Sequence, residues 1–224
     1  MPKGKIVFDL DNTLYSFGQT GLHSQMRDNI EAWIEKHLEV SRPEAVGISN
    51  DYYCKYGLTA RGLKLHHPEK PLDDYLDFVH ALDCSQMGPD PALFSMLKVL
   101  SEAQWELWVM TNGTHKHAVD ILALLGVSEF FGDRIHDCRA QWEASAPEVH
   151  NKPERSAYED FEKVCGRAAG EPMVLVEDSM VNLEAPAEMG WQTVWVSHGH
   201  ATPTRRPEGV QIIENVYILP SVLN

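Results

Sequence analysis

Short apolar runs alternate along most of this chain with stretches whose apolar residues recur at helical spacing. Ile6-Val7-Phe8, Glu106-Leu107-Trp108-Val109-Met110, Met173-Val174-Leu175-Val176 and Thr193-Val194-Trp195-Val196 read as buried strands, because a strand covered on both faces is hydrophobic almost throughout. Arg134-Ile135-His136 reads as a shorter strand and Gln211-Ile212-Ile213 as an edge strand. Helices are predicted between them over about 91–103, 115–125, 153–165 and 180–189, with Gly126, Gly166 and Gly190 as stops. Strands alternating with helices predict an α/β fold, a doubly wound, mostly parallel sheet with a Rossmann-like core.

Residues 16–86 break this rhythm, with no convincing strand. Leu22, Met26, Ile30, Trp33, Ile34 and Leu38 mark one amphipathic helix over about 20–39. Ser41-Arg42-Pro43-Glu44 is a fresh helix start, and the helix it opens runs to Tyr56 and stops at Gly57. Residues 57–63 form a short helix or loop, a further helix covers about 71–82, and the Gly and Pro of residues 86–91 mark the exit. The chain therefore divides into an α/β core, 1–15 and 87–224, and an α-helical domain, 16–86, inserted after the first strand. The tail, 219–224, packs or frays.

Polar groups of complementary kind follow the strands. The first ends in Asp9 and Asp11, then Thr13; the second in Thr111-Asn112-Gly113; the third in Glu177-Asp178, with Asn182 a turn later. Open α/β sheets hold ligands beyond the carboxyl ends of their strands. Paired carboxylates there suit a hard cation such as Mg²⁺, although Asp-Asn is also ordinary turn chemistry. Lys152 precedes Pro153 at a predicted helix start, against the macrodipole, which a nearby anion would explain.

A net charge of −14 argues against a nucleic-acid-binding surface but allows a small phosphorylated ligand. No secretory pattern and no membrane-length apolar run is visible. Cys54, Cys84, Cys138 and Cys165 lack metal or disulfide spacing and read as reduced thiols, so a cytoplasmic protein is expected. His66-His67 and His115-x-His117 make no full metal set and read as surface or partly buried histidines, and Trp142 and Trp191 as packing residues. The oligomeric state is not legible.

Asp-x-Asp-x-Thr, then a Thr after a strand, then Lys-Pro, then Glu-Asp-Ser-x-x-Asn, in that order over about residues 5–197, resembles the haloacid dehalogenase superfamily. The helical insertion sits where that family carries its cap. The resemblance implies a Mg²⁺-dependent phosphatase acting through an aspartyl-phosphate. Asp9 would be the nucleophile and Asp11 the acid and base. Mg²⁺ would bind the Asp9 carboxylate, the Asp11 carbonyl and the Asp178 carboxylate, helped by Glu177. Thr111, Asn112 and Lys152 would hold the phosphoryl oxygens, Asn12 and Thr13 would shape the loop, and Asn182 stands where many relatives have a second Asp. Having both Asp9 and Asp11 points to phosphate esters and away from dehalogenation.

Asp9 to Tyr15 and Tyr56 to Leu63 resemble the pyrimidine 5′-nucleotidase-like branch. A nucleoside 5′-monophosphate, pyrimidine first, is the implied substrate, with Arg61 facing its phosphate or base and Tyr56, Lys64, His66 and His67 as further candidates. Residues 137–151 depart from the branch's pattern. A sugar-phosphate phosphatase, a phosphomutase and a catalytically idle binding or regulatory member are the alternatives.

Overall fold

The computed structural model describes residues 2–146 and 148–223. β1 (Gly4–Phe8) lies buried in the middle of a six-stranded sheet, with β2 (Trp105–Met110) and β3 (Ile135–His136) on one side and β4 (Met173–Glu177), β5 (Gln192–Val196) and β6 (Gln211–Ile213) on the other. The order is β3-β2-β1-β4-β5-β6 and every neighbouring pair is parallel. The strand order reverses at β1 and β4, the crevice in which such sheets bind ligands.

Strand alternation sends β1 side chains to two cores. Ile6 and Phe8 join Leu93, Leu97, Ile121 and Leu219 on one face, whereas Val7 joins Tyr158, Phe161 and Leu175 on the other. The first face is covered by α6 (Pro91–Glu102) and α7 (His115–Leu124), the second by α9 (Arg155–Val164) and α10 (Glu184–Glu188). The tail packs: Val216 and Leu219, in a 3₁₀ turn over Val216–Ser221, are buried in the first core, while Asn224 lies outside the described residues.

Between β1 and β2 the chain is helical: α1 (Phe17–Thr20), α2 (Leu22–Leu38), α3 (Arg42–Tyr56), α4 (Thr59–His66) and α5 (Leu72–Val79). α3 begins as its sequence predicts, with the Glu44 carboxylate accepting from the Ser41 N–H at 2.9 Å and Pro43 in the first turn. This block buries its own apolar cluster, with Trp33, Ile34, Leu63, Tyr75 and Leu76 at its centre. Cys138 and Trp142 join it from α8 (Cys138–Ala144), so the stretch after β3 is a support for the helical block. Asp137 caps α8 by accepting from Arg139 N at 2.8 Å, and Arg139 then pairs with Asp73 and Asp77 of α5, each at 3.1 Å.

Two expected elements differ, and two more are additional. The helix expected to open at Pro153 starts at Arg155, with Glu154 as its extended N-cap residue, and the Lys152–Pro153 peptide is cis. The helix expected over 180–189 is a 3₁₀ turn, Met180–Leu183, followed by the short α10. The turn α1 and the helix α8 are additional; both are too short to show a helical period.

Gly57 closes α3 with φ +71°. A Cβ there would lie 2.2 Å from Pro153 Cδ and 3.1 Å from the Lys152 carbonyl oxygen. Gly57→Ala is expected to lower the unfolding free energy in urea by about 1–2 kcal/mol for the left-handed backbone alone. Gly47→Ala, inside α3 where a Cβ meets nothing, should instead stabilise by roughly 0.5–1 kcal/mol.

Candidate active site

The register of β1 brings the predicted acids together. Phe8 lies beside Val109 of β2 and Val176 of β4. One residue on, Asp9 N donates to Val176 O at 2.9 Å, which sets Asp9 beside Glu177. Both are buried, and Lys152 reaches between them from the loop before α9. Its Nζ donates to Asp9 Oδ1 at 2.7 Å and to Glu177 Oε2 at 2.8 Å. Burial disfavours the lysine's charge, but the two carboxylates outweigh burial and hold its pKa above the usual value.

Asp178 completes a cluster: ligand oxygens of Asp9, Glu177 and Asp178 lie within 4.8 Å of one another. Burial and the Glu177 and Asp9 charges push the Asp178 carboxyl above the usual carboxylate range. Burial and Glu177 likewise raise Asp9, against the pull of Lys152. One ammonium against three carboxylates leaves negative charge in excess. Oxygen donors with unmet negative charge fit Mg²⁺, and these three residues could hold it. Asn12 and Thr13 fix the cluster: Asn12 Nδ2 donates to Asp178 Oδ2 at 2.6 Å, and Asp178 N donates to Thr13 Oγ1 at 3.1 Å.

Thr111 and Asn112 stand at the end of β2. Thr111 Oγ1 accepts from Gly113 N at 2.9 Å, which leaves its O–H to donate. Asn112 Nδ2 donates to the Lys152 carbonyl at 3.0 Å, and its Oδ1 is buried without a partner. Asn182 lines the cleft, and its backbone carbonyl accepts from Tyr158 O–H at 2.7 Å. Arg61 pairs with Glu154 across the cleft mouth, Nη2 to Oε1 at 2.7 Å, and lies over the Tyr56 ring at 5.8 Å. The other candidates in the helical block pair with one another or with α8. Tyr56 bonds His66 at 2.6 Å, Tyr52 bonds His67 at 3.0 Å, and Lys64 lies over Trp142 at 4.8 Å.

Asp11 sits apart from the acidic cluster. His117 Nε2 and Tyr15 O–H both meet its Oδ1, each at 2.6 Å. Burial alone would raise this carboxyl, but His117 and Tyr15 overcome it and hold it down at about 2. His117 is buried, which corrects its reading as a surface or partly buried histidine. Its place in the first turn of a helix that follows a strand turns it toward the strand ends but does not say which of them it meets. Gln141, also missed, is buried and ties two loops together: Nε2 donates to Thr111 O at 2.7 Å and Oε1 accepts from Lys152 N at 3.2 Å.

These groups form the floor of a cleft of about 810 Å³ whose opposite wall is the helical block, including Phe17, Met26, Ile30, Tyr53 and Tyr56. Two buried carboxylates joined by a lysine at a parallel sheet's switch point, under a helical block inserted after the first strand, define a class of hydrolase. The haloacid dehalogenase-like hydrolase family matches residues 6–190, and the chain belongs to that family.

Among curated proteins it is similar to Phosphate metabolism protein 8 of Saccharomyces cerevisiae, at 27% identity over 199 residues. That match covers 84% of this chain and spans about 60% of the yeast protein's length. A HAD phosphatase from Thermococcus onnurineus shares the fold at TM-score 0.64 and 18% identity, over 99% of this chain and 98% of that one. The Bacillus subtilis HAD-hydrolase YfnB, bound to magnesium, shares it at TM-score 0.55 and 18% identity, over the whole of both chains. Among the described residues no helix is long and apolar enough to cross a membrane.

The raised Asp178 carboxyl fixes the sign of one prediction. A folded-state pKa above the unfolded value means that stability is lost as pH rises through the folded pKa. Asp178→Asn is therefore expected to raise the melting temperature of metal-free protein at pH 8, by the equivalent of about 1–2 kcal/mol. Millimolar Mg²⁺ should raise the melting temperature of the unsubstituted protein and leave that of Asp178→Asn unmoved.

Proposed function

We propose that this protein is a Mg²⁺-dependent phosphatase for small phosphate monoesters, with a pyrimidine nucleoside 5′-monophosphate as the preferred substrate. The observation that carries the reading is the Lys152 ammonium bonded to both Asp9 and Glu177 at the cleft floor. Lys152 engages Asp9 Oδ1, and Oδ2 is the oxygen not committed to it. Asp9 attacks phosphorus, the bond to the leaving oxygen breaks, and that oxygen takes a proton from Asp11. Water then attacks the aspartyl-phosphate, gives its proton to Asp11, and releases inorganic phosphate and free Asp9.

A phosphate dianion brought beside Asp11 raises that group's pKa from its resting value, so that it can carry the proton. Lys152, the Thr111 O–H and the backbone amides around Asn112 offer positive charge and donors to the phosphoryl oxygens. Asp9 and Asp178, with Glu177 and the Asp11 carbonyl, would hold Mg²⁺. When bound, the ion neutralises phosphoryl charge as a Lewis acid. Asn182, which lines the cleft, would offer a polar group without charge.

Two features support the substrate class. The cleft has the size of a small-molecule site, and its wall offers Tyr53, Tyr56 and Phe17 as flat surfaces for a base, with Arg61 at its mouth. Free thiols at all four cysteines fit a reducing, cytoplasmic compartment.

Purified protein with Mg²⁺ is expected to release phosphate from UMP and CMP faster than from hexose phosphates; the opposite order overturns the nucleotidase reading. Asp9→Asn should lower kcat by at least about 10³-fold, as loss of a covalent nucleophile does. Phosphatase activity that survives Asp9→Asn would exclude the covalent route.

A further inference from the structure

Asp11 is held more tightly at one of its oxygens than at the other. Tyr15 O–H and His117 Nε2 converge on Oδ1, each at 2.6 Å. Among the described hydrogen bonds neither partner touches Oδ2, and the Asp11 side chain keeps 17% of its surface open, where it lines the cleft.

The two donors are themselves fixed. His117 is in the first turn of α7, where its N–H donates to Thr114 Oγ1 at 3.2 Å. Its ring lies against His80, centroids 4.7 Å apart, and His80 Nδ1 donates to Leu76 O at 2.8 Å. Gly113 leaves room for both imidazoles: a Cβ there would stand 3.3 Å from His117 Cδ2 and 3.3 Å from His80 Nε2. Tyr15 is buried and packs edge-on against Phe17, centroids 5.8 Å apart.

We infer that His117 and Tyr15 are positioning residues that pin Oδ1 of Asp11 and so dedicate Oδ2 to proton exchange with the ester. The inference rests on the phosphatase reading above and deepens it. A carboxylate oxygen that accepts two donors has both in-plane lone-pair directions engaged, so a proton carried by Asp11 resides on Oδ2. Turning the carboxyl over would break both bonds at once. In the first step the Oδ2–H proton passes to the leaving oxygen as that oxygen takes the electron pair of the broken P–O bond. In the second step Oδ2 receives the proton of the attacking water. Neither His117 nor Tyr15 touches the substrate in this scheme; both act through Asp11.

The distinguishing readout is leaving-group dependence of kcat/KM, which reports phosphoryl transfer to Asp9. The two probes are p-nitrophenyl phosphate, whose leaving group departs without a proton, and the alkyl phosphate monoester that the unsubstituted enzyme turns over fastest. His117→Ala is expected to lower kcat/KM for the alkyl ester about 10- to 100-fold through misplacement of the acid. The loss for p-nitrophenyl phosphate should stay under about threefold, because general-acid help is not needed there. His117→Gln, which keeps an N–H donor, should recover most of the alkyl-ester rate, and Tyr15→Phe should show the same split to a smaller degree.

Equal losses on both substrates, or no loss on either, would overturn the assignment. Circular dichroism shows whether His117→Ala folds; if it does not, His117→Gln and Tyr15→Phe decide on the same criterion. An unsubstituted enzyme that hydrolyses neither ester would instead bring down the phosphatase reading itself, and this inference with it.

Discussion

The Lys152 ammonium, buried between Asp9 and Glu177, is the contact on which the rest of the site depends. Taking three charges out of water costs several kcal/mol per ion. The cost is offset only while the lysine stands within hydrogen-bond distance of both acids. Lys152 belongs to neither strand, so its loop must be built to that tolerance. Gln141 holds the lysine's backbone N–H, Asn112 its carbonyl, and Gly57 makes room for the Lys152–Pro153 backbone. Parts of three separate chain regions are thereby committed to one ammonium. Removing it would leave two buried carboxylates uncompensated, beside Asp178, which burial and those two acids already raise.

The same constraint explains why the helical block and the sheet are not independent. The end of α3 sits on the Lys152 loop, Arg61 of α4 pairs with Glu154 two residues past the lysine, and α8 packs Cys138 and Trp142 into the block's own core. α8 also carries Gln141 on its buried side. One short helix thus supports the cleft wall with its aromatic face and the cleft floor with its amide. A change in how the block seats on the core is felt at Lys152 through side chains in van der Waals or hydrogen-bond contact.

How much of this was legible in the sequence follows from where each signal lies. The parallel sheet was readable because its strands are buried on both faces and stay apolar until the strand ends, where Asp9, Thr111 and Glu177 appear. A polar residue at that boundary is conspicuous. Lys152 was readable as an electrostatic misfit ahead of a helix, although the helix starts two residues later than its proline suggested. His117 and Gln141 were not readable as site residues. Each lies in a helix whose other residues pack normally, and its role depends on which strand end faces it, which only the register decides. α8 was lost because seven residues give no period. Arg61 was expected to face a ligand; its actual partner, Glu154, comes from a loop 93 positions away, which pattern reading does not pair.

Two aspartates that are next but one along the chain end in opposite electrostatic settings, and that separation is what the local structure accomplishes. Asp9 is aligned with the sheet, shares its lysine with Glu177, and stays raised because burial and the Glu177 charge outweigh that lysine. Asp11 lies past the strand, turned to a histidine and a tyrosine, and is held low. Asn12 between them takes a left-handed backbone, φ +63°, which lets the chain turn sharply enough to do this. Its side chain then spans both sides of the turn, donating to Asp178 and accepting from Phe17 N at 3.0 Å. Titratable neighbours whose surroundings drive their pKa values apart are the physical signature of divided acid–base labour. Here one tight turn produces that separation, sending the nucleophile candidate to the lysine and acids of the floor and the proton-carrier candidate to His117 and Tyr15.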